Sequence, residues 1–111
     1  MTPRLTADFW VQAYLTRLRL ADIPAFVVRK GDPTAGAVAV KLSPLDGSAA
    51  LFQRRFDLMA DTRRWEEVAR GAEAEIDAQL ARERARDPDL WVIEVEDRAG
   101  RTLLDEPGLD G

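Results

Sequence analysis

Histidine and cysteine are both absent from this 111-residue chain, and the two absences exclude whole classes of chemistry. Without cysteine there are no disulfides, no thiolate metal ligands and no thiol nucleophile. Without histidine, the side chain whose ordinary pKa lies nearest neutrality is missing, and with it the commonest general base and metal ligand. A Ser-His-Asp triad and a histidine-bound zinc are therefore excluded within this chain. Any catalysis would have to run on carboxylates, lysine, tyrosine or backbone groups, so the reading leans away from an enzyme and expects no cofactor. Long apolar runs are lacking too: no stretch of about 18 apolar residues is present to form a transmembrane helix. Met1-Thr2-Pro3-Arg4 leads into a segment broken by Asp8 and Gln12, which does not read as a signal peptide.

What is present fits one domain over residues 1–111, with a core over 5–104 and an acidic tail over 105–111. Hydrophobic residues make up 46% of the chain, enough for a core without covalent staples; domains of this size bury roughly 60–70% of the surface their unfolded chains expose. The 16 basic and 20 acidic residues give a net charge of −4 and are interspersed. That balance argues against a nucleic-acid partner, which usually meets a basic surface. With no cysteine to protect, the cytoplasm is the simplest address. The partner left in view is another protein or a second copy of the chain.

Thr6 can cap a helix starting at Ala7, with Asp8 in its first turn where the helix dipole favours a carboxylate. Trp10, Ala13, Tyr14, Leu18 and Ala21 then recur at helical steps, and Pro24 closes the element. Ala25-Phe26-Val27-Val28 is a short strand. The run Ala37-Val38-Ala39-Val40-Lys41-Leu42 is a second, with Val38, Val40 and Leu42 on one face toward the core. After the turn at Asp46-Gly47, a third strand covers 49–58. The segment 61–86 fits one helical stripe, but Gly71 would cost about 1 kcal/mol inside it. We therefore divide it into a strand over 65–69 and a helix over 72–86, stopped by Asp87-Pro88-Asp89. Leu90-Trp91-Val92-Ile93-Glu94-Val95-Glu96 alternates as a strand, with Trp91, Ile93 and Val95 inward. Asp97-Arg98-Ala99-Gly100 predicts a hairpin into a last strand over 101–104, before a frayed tail. The order α-β-β-β-(β)-α-β-β implies an α+β fold with a mainly antiparallel sheet of five to six strands.

Three stretches carry candidate chemistry. Gly31-Asp32-Pro33-Thr34-Ala35-Gly36 has the glycine spacing of a phosphate loop. It lacks the Lys-Ser/Thr that must follow, and a strand succeeds it where a helix is required. It predicts instead a turn joining two adjacent antiparallel strands. Glu94, Glu96 and Asp97, with Asp87 and Asp89 at the far end of the same strand, are the candidates for a metal or an acid–base pair. The alternative is a solvated face with Lys41, Arg29 or Arg101 opposite. Arg54, Arg55, Arg63 and Arg64 would gather four guanidinium groups if their region is a hairpin, making a candidate phosphate or nucleic-acid patch. Acidic neighbours and the placement of Trp10, Trp65 and Trp91 on apolar stripes favour a mixed-charge surface and a packed core.

The segments RKGDPTAGAVAVKLSPLDG and RDPDLWVIEVEDRAGRTLLDE, with the N-terminal helix carrying Trp10-Val11, resemble a small bacterial family of unknown function. The resemblance runs from about residue 5 to 106 and is carried by the Gly-Asp-x-x-Ala-Gly turn and the Asp-Pro-Asp-Leu-Trp-Val segment. It implies a compact cytosolic bacterial protein with a strand near Trp65. It carries over no activity, cofactor or catalytic residue. The leading function is then a non-enzymatic interaction or regulatory module, whose mark would be an unpaired sheet edge or exposed apolar patch.

Overall fold

The computed structural model describes residues 5–110; residues 1–4 and Gly111 lie outside the described residues. Helix α1 runs Ala7–Leu20. The Thr6 hydroxyl accepts a hydrogen bond from the Phe9 amide at 3.3 Å, as the capping pattern requires. Trp10, Val11, Tyr14 and Leu18 are the buried stripe of α1. Strand β1 (Ala25–Arg29) follows Pro24, then β2 (Val38–Ser43), β3 (Ser48–Asp57), β4 (Thr62–Ala72), α2 (Glu73–Arg86) and β5 (Trp91–Glu96). The division of 61–86 holds, with the strand longer than the 65–69 expected. No helix among the described residues is long and apolar enough to cross a membrane.

The fold is α+β, but its five-stranded sheet is mixed, not mainly antiparallel. The strand order is β1-β5-β2-β3-β4. β5 inserts between β1 and β2, pairing antiparallel with the first and parallel with the second. The 31–36 loop therefore does not join neighbouring strands. The physical reason is burial: every residue of β2 is buried, so this strand takes partners on both sides and cover on both faces. Val38, Val40, Leu42, Trp91, Ile93 and Val95 pack under α1, as their alternation predicts. Ala39 and Val92 face the other way, onto Ile76 and Leu80 of α2.

The same insertion removes the expected sixth strand. With β1 on one side of β5 and β2 on the other, no edge is left for residues 101–104. The turn itself forms, because the Asp97 carboxylate accepts the Arg101 amide at 2.7 Å and two of its guanidinium nitrogens at 3.0 and 3.1 Å. The chain then crosses α1, where the Tyr14 hydroxyl donates to the Thr102 carbonyl at 2.8 Å. Nor is the end frayed. Leu104 and Leu109 are buried in the α1 core. The Trp10 and Trp65 indole nitrogens both donate to the Leu109 carbonyl, at 3.3 and 3.0 Å.

The 31–36 loop and the Asp87-Pro88-Asp89 corner interlock. Carbonyls of Pro33 and Thr34 accept the Asp8 and Ala7 amides at the start of α1, at 2.8 and 3.1 Å. The Asp32 carbonyl accepts the Trp91 indole at 2.8 Å, and the Asp32 amide donates to the Asp89 carbonyl at 3.0 Å. A side chain added at Gly31 would overlap the Asp89 carbonyl and the Trp91 ring, and one at Gly36 the Asp89 carbonyl. Both glycines are needed for this close approach of backbone to backbone. At the corner itself it is the Asp87 carboxylate that accepts the Asp89 amide, at 3.1 Å.

Candidate functional site

The acidic candidates do not converge. The parallel register sets Glu94 beside Lys41 and Glu96 beside Ser43, while Asp97 turns away to Arg101. Asp87 and Asp89 stay at the opposite end of β5, in the corner with the glycine loop. Lys41 is the residue that organises this face. Its ammonium lies 2.7 Å from Asp77, 3.4 Å from Glu94 and 3.8 Å from Glu73, and its side chain is only 6% exposed. Ser43 donates to Glu73 at 3.3 Å. Burial alone would pull the Lys41 pKa down. The hydrogen bond to Asp77 and the attraction of Glu94, Asp77 and Glu73 outweigh it, so the net direction is up. Lys41 is thereby held on this face as a charged ion-pair partner. Glu94 meets Lys41 across the strands, but α2 covers this face, so it is not the solvated one that the sequence offered as the alternative to a metal. The two α2 carboxylates, four residues apart on one helix face, are what the sequence reading left out.

The four arginines are divided between two faces of the β3–β4 ribbon. Arg54 lies opposite Trp65, Arg55 opposite Arg64 and Phe56 opposite Arg63. Alternation sends Arg54 and Arg63 toward the α1 side, and Arg55 and Arg64 to the other. The Arg54 guanidinium sits 4.6 Å from the ring centroids of both Trp10 and Trp65, so it serves the packing of the tail and α1 against β4. Arg55 pairs with Glu66 at 3.4 Å. No four-guanidinium patch is assembled.

The open edge of the sheet at β1 is the third candidate. The strand order leaves β1 and β4 as the outer strands. β4 carries Arg63, Arg64, Glu66, Glu67 and Arg70, the kind of charged edge that resists pairing with other chains. β1 carries Ala25, Phe26, Val27 and Val28 before its first charge at Arg29. Phe26, Val27 and Val28 are 45%, 38% and 40% exposed. The Glu96 amide donates to the Pro24 carbonyl at 2.9 Å, which fixes the phase of the β1–β5 ladder. In an antiparallel register of 25 with 95, 26 with 94 and 27 with 93, hydrogen-bonded and non-bonded pairs alternate. Phe26 therefore bonds inward to β5, and Ala25 and Val27 turn their N–H and C=O groups to the open side. The bulge at Val28 sets in just beyond. Beside the strand runs an open groove lined by Leu15, Thr16, Ile23 and Ala25.

Comparison with known proteins bears on this frame. A family model described as "Protein of unknown function (DUF1491)" matches residues 5–105. The chain is similar to a DUF1491 family protein from Caulobacter crescentus CB15 known by crystallography. That similarity has a TM-score of 0.84 and 42% identity, over 94% of this chain and 98% of that one. The NMR structure of a DUF1491 family protein from the same organism gives 0.81 and 41%, over 96% and 97%. The solution structure of protein Atu0922 from A. tumefaciens gives 0.71 and 35%, over 85% and 86%. No curated protein matches the chain.

Proposed function

The chain belongs to the DUF1491 family of proteins of unknown function, and we propose that it is a non-enzymatic interaction module of the bacterial cytoplasm, with the open edge of β1 as its contact strand. One observation carries this reading: an edge strand with three consecutive exposed apolar residues and outward-turned amides at Ala25 and Val27, in a sheet whose other edge is charged. Such an edge offers main-chain hydrogen bonds for affinity and alternate side-chain positions for selectivity, the means by which extended segments add to sheets. The chain's lack of histidine and cysteine, and the ion-paired state of Lys41, support a role that does not depend on catalysis.

The test is capture of binding partners from native extract by tagged wild-type protein and by Val27→Pro. Proline removes an amide that faces away from β5, so the fold should persist, as proline is tolerated on the open side of edge strands. A protein held by wild type and released by the folded variant supports the reading. Partners retained equally by both would refute β1 as the contact strand.

A further inference from the structure

The edge of β1 is self-complementary, and we infer that its occupant is β1 of a second copy of this chain, paired antiparallel about a two-fold axis through Val27. This rests on the reading of β1 as the contact strand and adds the identity of the partner. Because Val27 turns both its amide and its carbonyl outward, a two-fold axis at that residue lets each Val27 donate to and accept from the other. Phe26 of each copy then lies opposite Val28 of the other, so the exposed apolar residues cover one another. The bulge at Val28 sets Arg29 opposite Val92 and turns it toward β5, so the hydrogen bonds at Val27 are the shared ladder, and no like charges face each other beside them. An antiparallel arrangement also carries the Arg29-Lys30 end of each copy toward the Pro24 end of the other. There Asp22 is exposed, in a left-handed turn with φ 59°. Lys30 then lies opposite Pro24, two residues from Asp22, and this approach of opposite charges occurs twice, once at each end, as a closed isologous contact requires.

The alternative occupants fit less well. β4 of a second copy would set five charged residues against the apolar run of β1, stranding those charges beside Phe26 and Val28. Pairing β1 with itself joins two five-stranded sheets into one continuous sheet. The strand is only five residues long, so the buried area is at the low end for protein contacts and the dimer is a weak, concentration-dependent one.

Sedimentation equilibrium of the full chain over a wide concentration range tests this, for wild type, Val27→Pro and Val28→Lys. A lysine at Val28 places a charge opposite Phe26 of the other copy, the device that natural edges use against pairing. Wild type should pass from 12.4 kDa toward about twice that mass. Both variants should associate at least about tenfold more weakly, the equivalent of one decade in Kd. Should Val27→Pro fail to fold by circular dichroism, Val28→Lys carries the comparison. Wild type at 12.4 kDa throughout, or a dimer that the folded variants keep, overturns the self-pairing. If wild type is monomeric yet Val27→Pro releases a captured partner, the contact strand stands and only its self-pairing falls. If neither effect occurs, both fall.

Discussion

Replacing Trp91 by alanine tests the corner on which β5 and the glycine loop are built. The ring is 2% exposed, lies under α1 with Ile93 and Val95, and touches the backbone at Gly31. Its indole donates to the Asp32 carbonyl at 2.8 Å, and that carbonyl also accepts the Gly36 amide at 3.2 Å. The variant therefore loses packing and one hydrogen bond without leaving Asp32 wholly unsatisfied. Deleting a buried large aromatic costs about 3–5 kcal/mol, and the retained Gly36 bond argues for the middle of that range. Against a typical stability of roughly 5–15 kcal/mol, about 4 kcal/mol is a large fraction. With a urea slope of about 2 kcal/mol per molar, the midpoint should fall by roughly 2 M. Phe9→Ala, on the 60% exposed side of α1, is the control and should stay within about 0.5 kcal/mol. Paired urea melts read both values. A loss below about 1 kcal/mol for Trp91→Ala would mean that the ring is not part of the core, and the account of the corner would be wrong.

Gly36→Ala should destabilise by about 1–3 kcal/mol, since the added carbon meets the fixed Asp89 carbonyl and cannot be met by a rotamer change; a calorimetric melting point equal to wild type would contradict the interlock. Lys41 gives a pH dependence. Its folded pKa is raised above the unfolded 10.5, so its contribution is fully present below that value and is lost as pH climbs through the folded one. Stability measured against pH should fall more steeply above 10.5 in wild type than in Lys41→Met, and parallel curves would show that the ion-pair network does not act on folding. Glu94→Ala should cost more than a solvated carboxylate but less than Trp91→Ala. It removes one of three partners of a buried ammonium while Asp77 at 2.7 Å remains. A urea midpoint equal to wild type would detach Glu94 from Lys41.

Local features of the fold were legible and long-range ones were not. The cap at Thr6, the stop at Asp87-Pro88 and the inward sets Val38, Val40, Leu42 and Trp91, Ile93, Val95 all follow from periodicity and backbone chemistry within a few residues. The parallel pairing of β2 with β5 has no local signature, since it joins Val38 to Trp91 across two strands and a helix. That single pairing accounts for two errors. It separates β1 from β2, and it occupies the edge of β5 that the turn at Asp97 seemed to offer a sixth strand. The buried tail was missed because Leu109 is one apolar residue among acids, and its anchor is a backbone carbonyl held by two tryptophans distant in sequence. For the site, part of the signal is local: Lys41 is the only charge in β2, and Glu73 and Asp77 sit one helical turn apart, spaced to meet it. The open edge at β1 depends on sheet order, so the apolar run Phe26-Val27-Val28 could be seen without its exposure being known.

Amide hydrogen exchange at Val27, read against Phe26, tests the contact strand most directly. The ladder phase set by the Glu96-to-Pro24 hydrogen bond turns the Val27 amide outward and the Phe26 amide into β5. In dilute protein Phe26 should exchange slowly and Val27 fast, and Val27 should slow as the edge is covered, by a second copy at rising concentration or by a captured partner. A Val27 amide that stays fast under all of those conditions, or one already as slow as Phe26 in the dilute chain, would contradict β1 as the strand through which this protein makes its contacts.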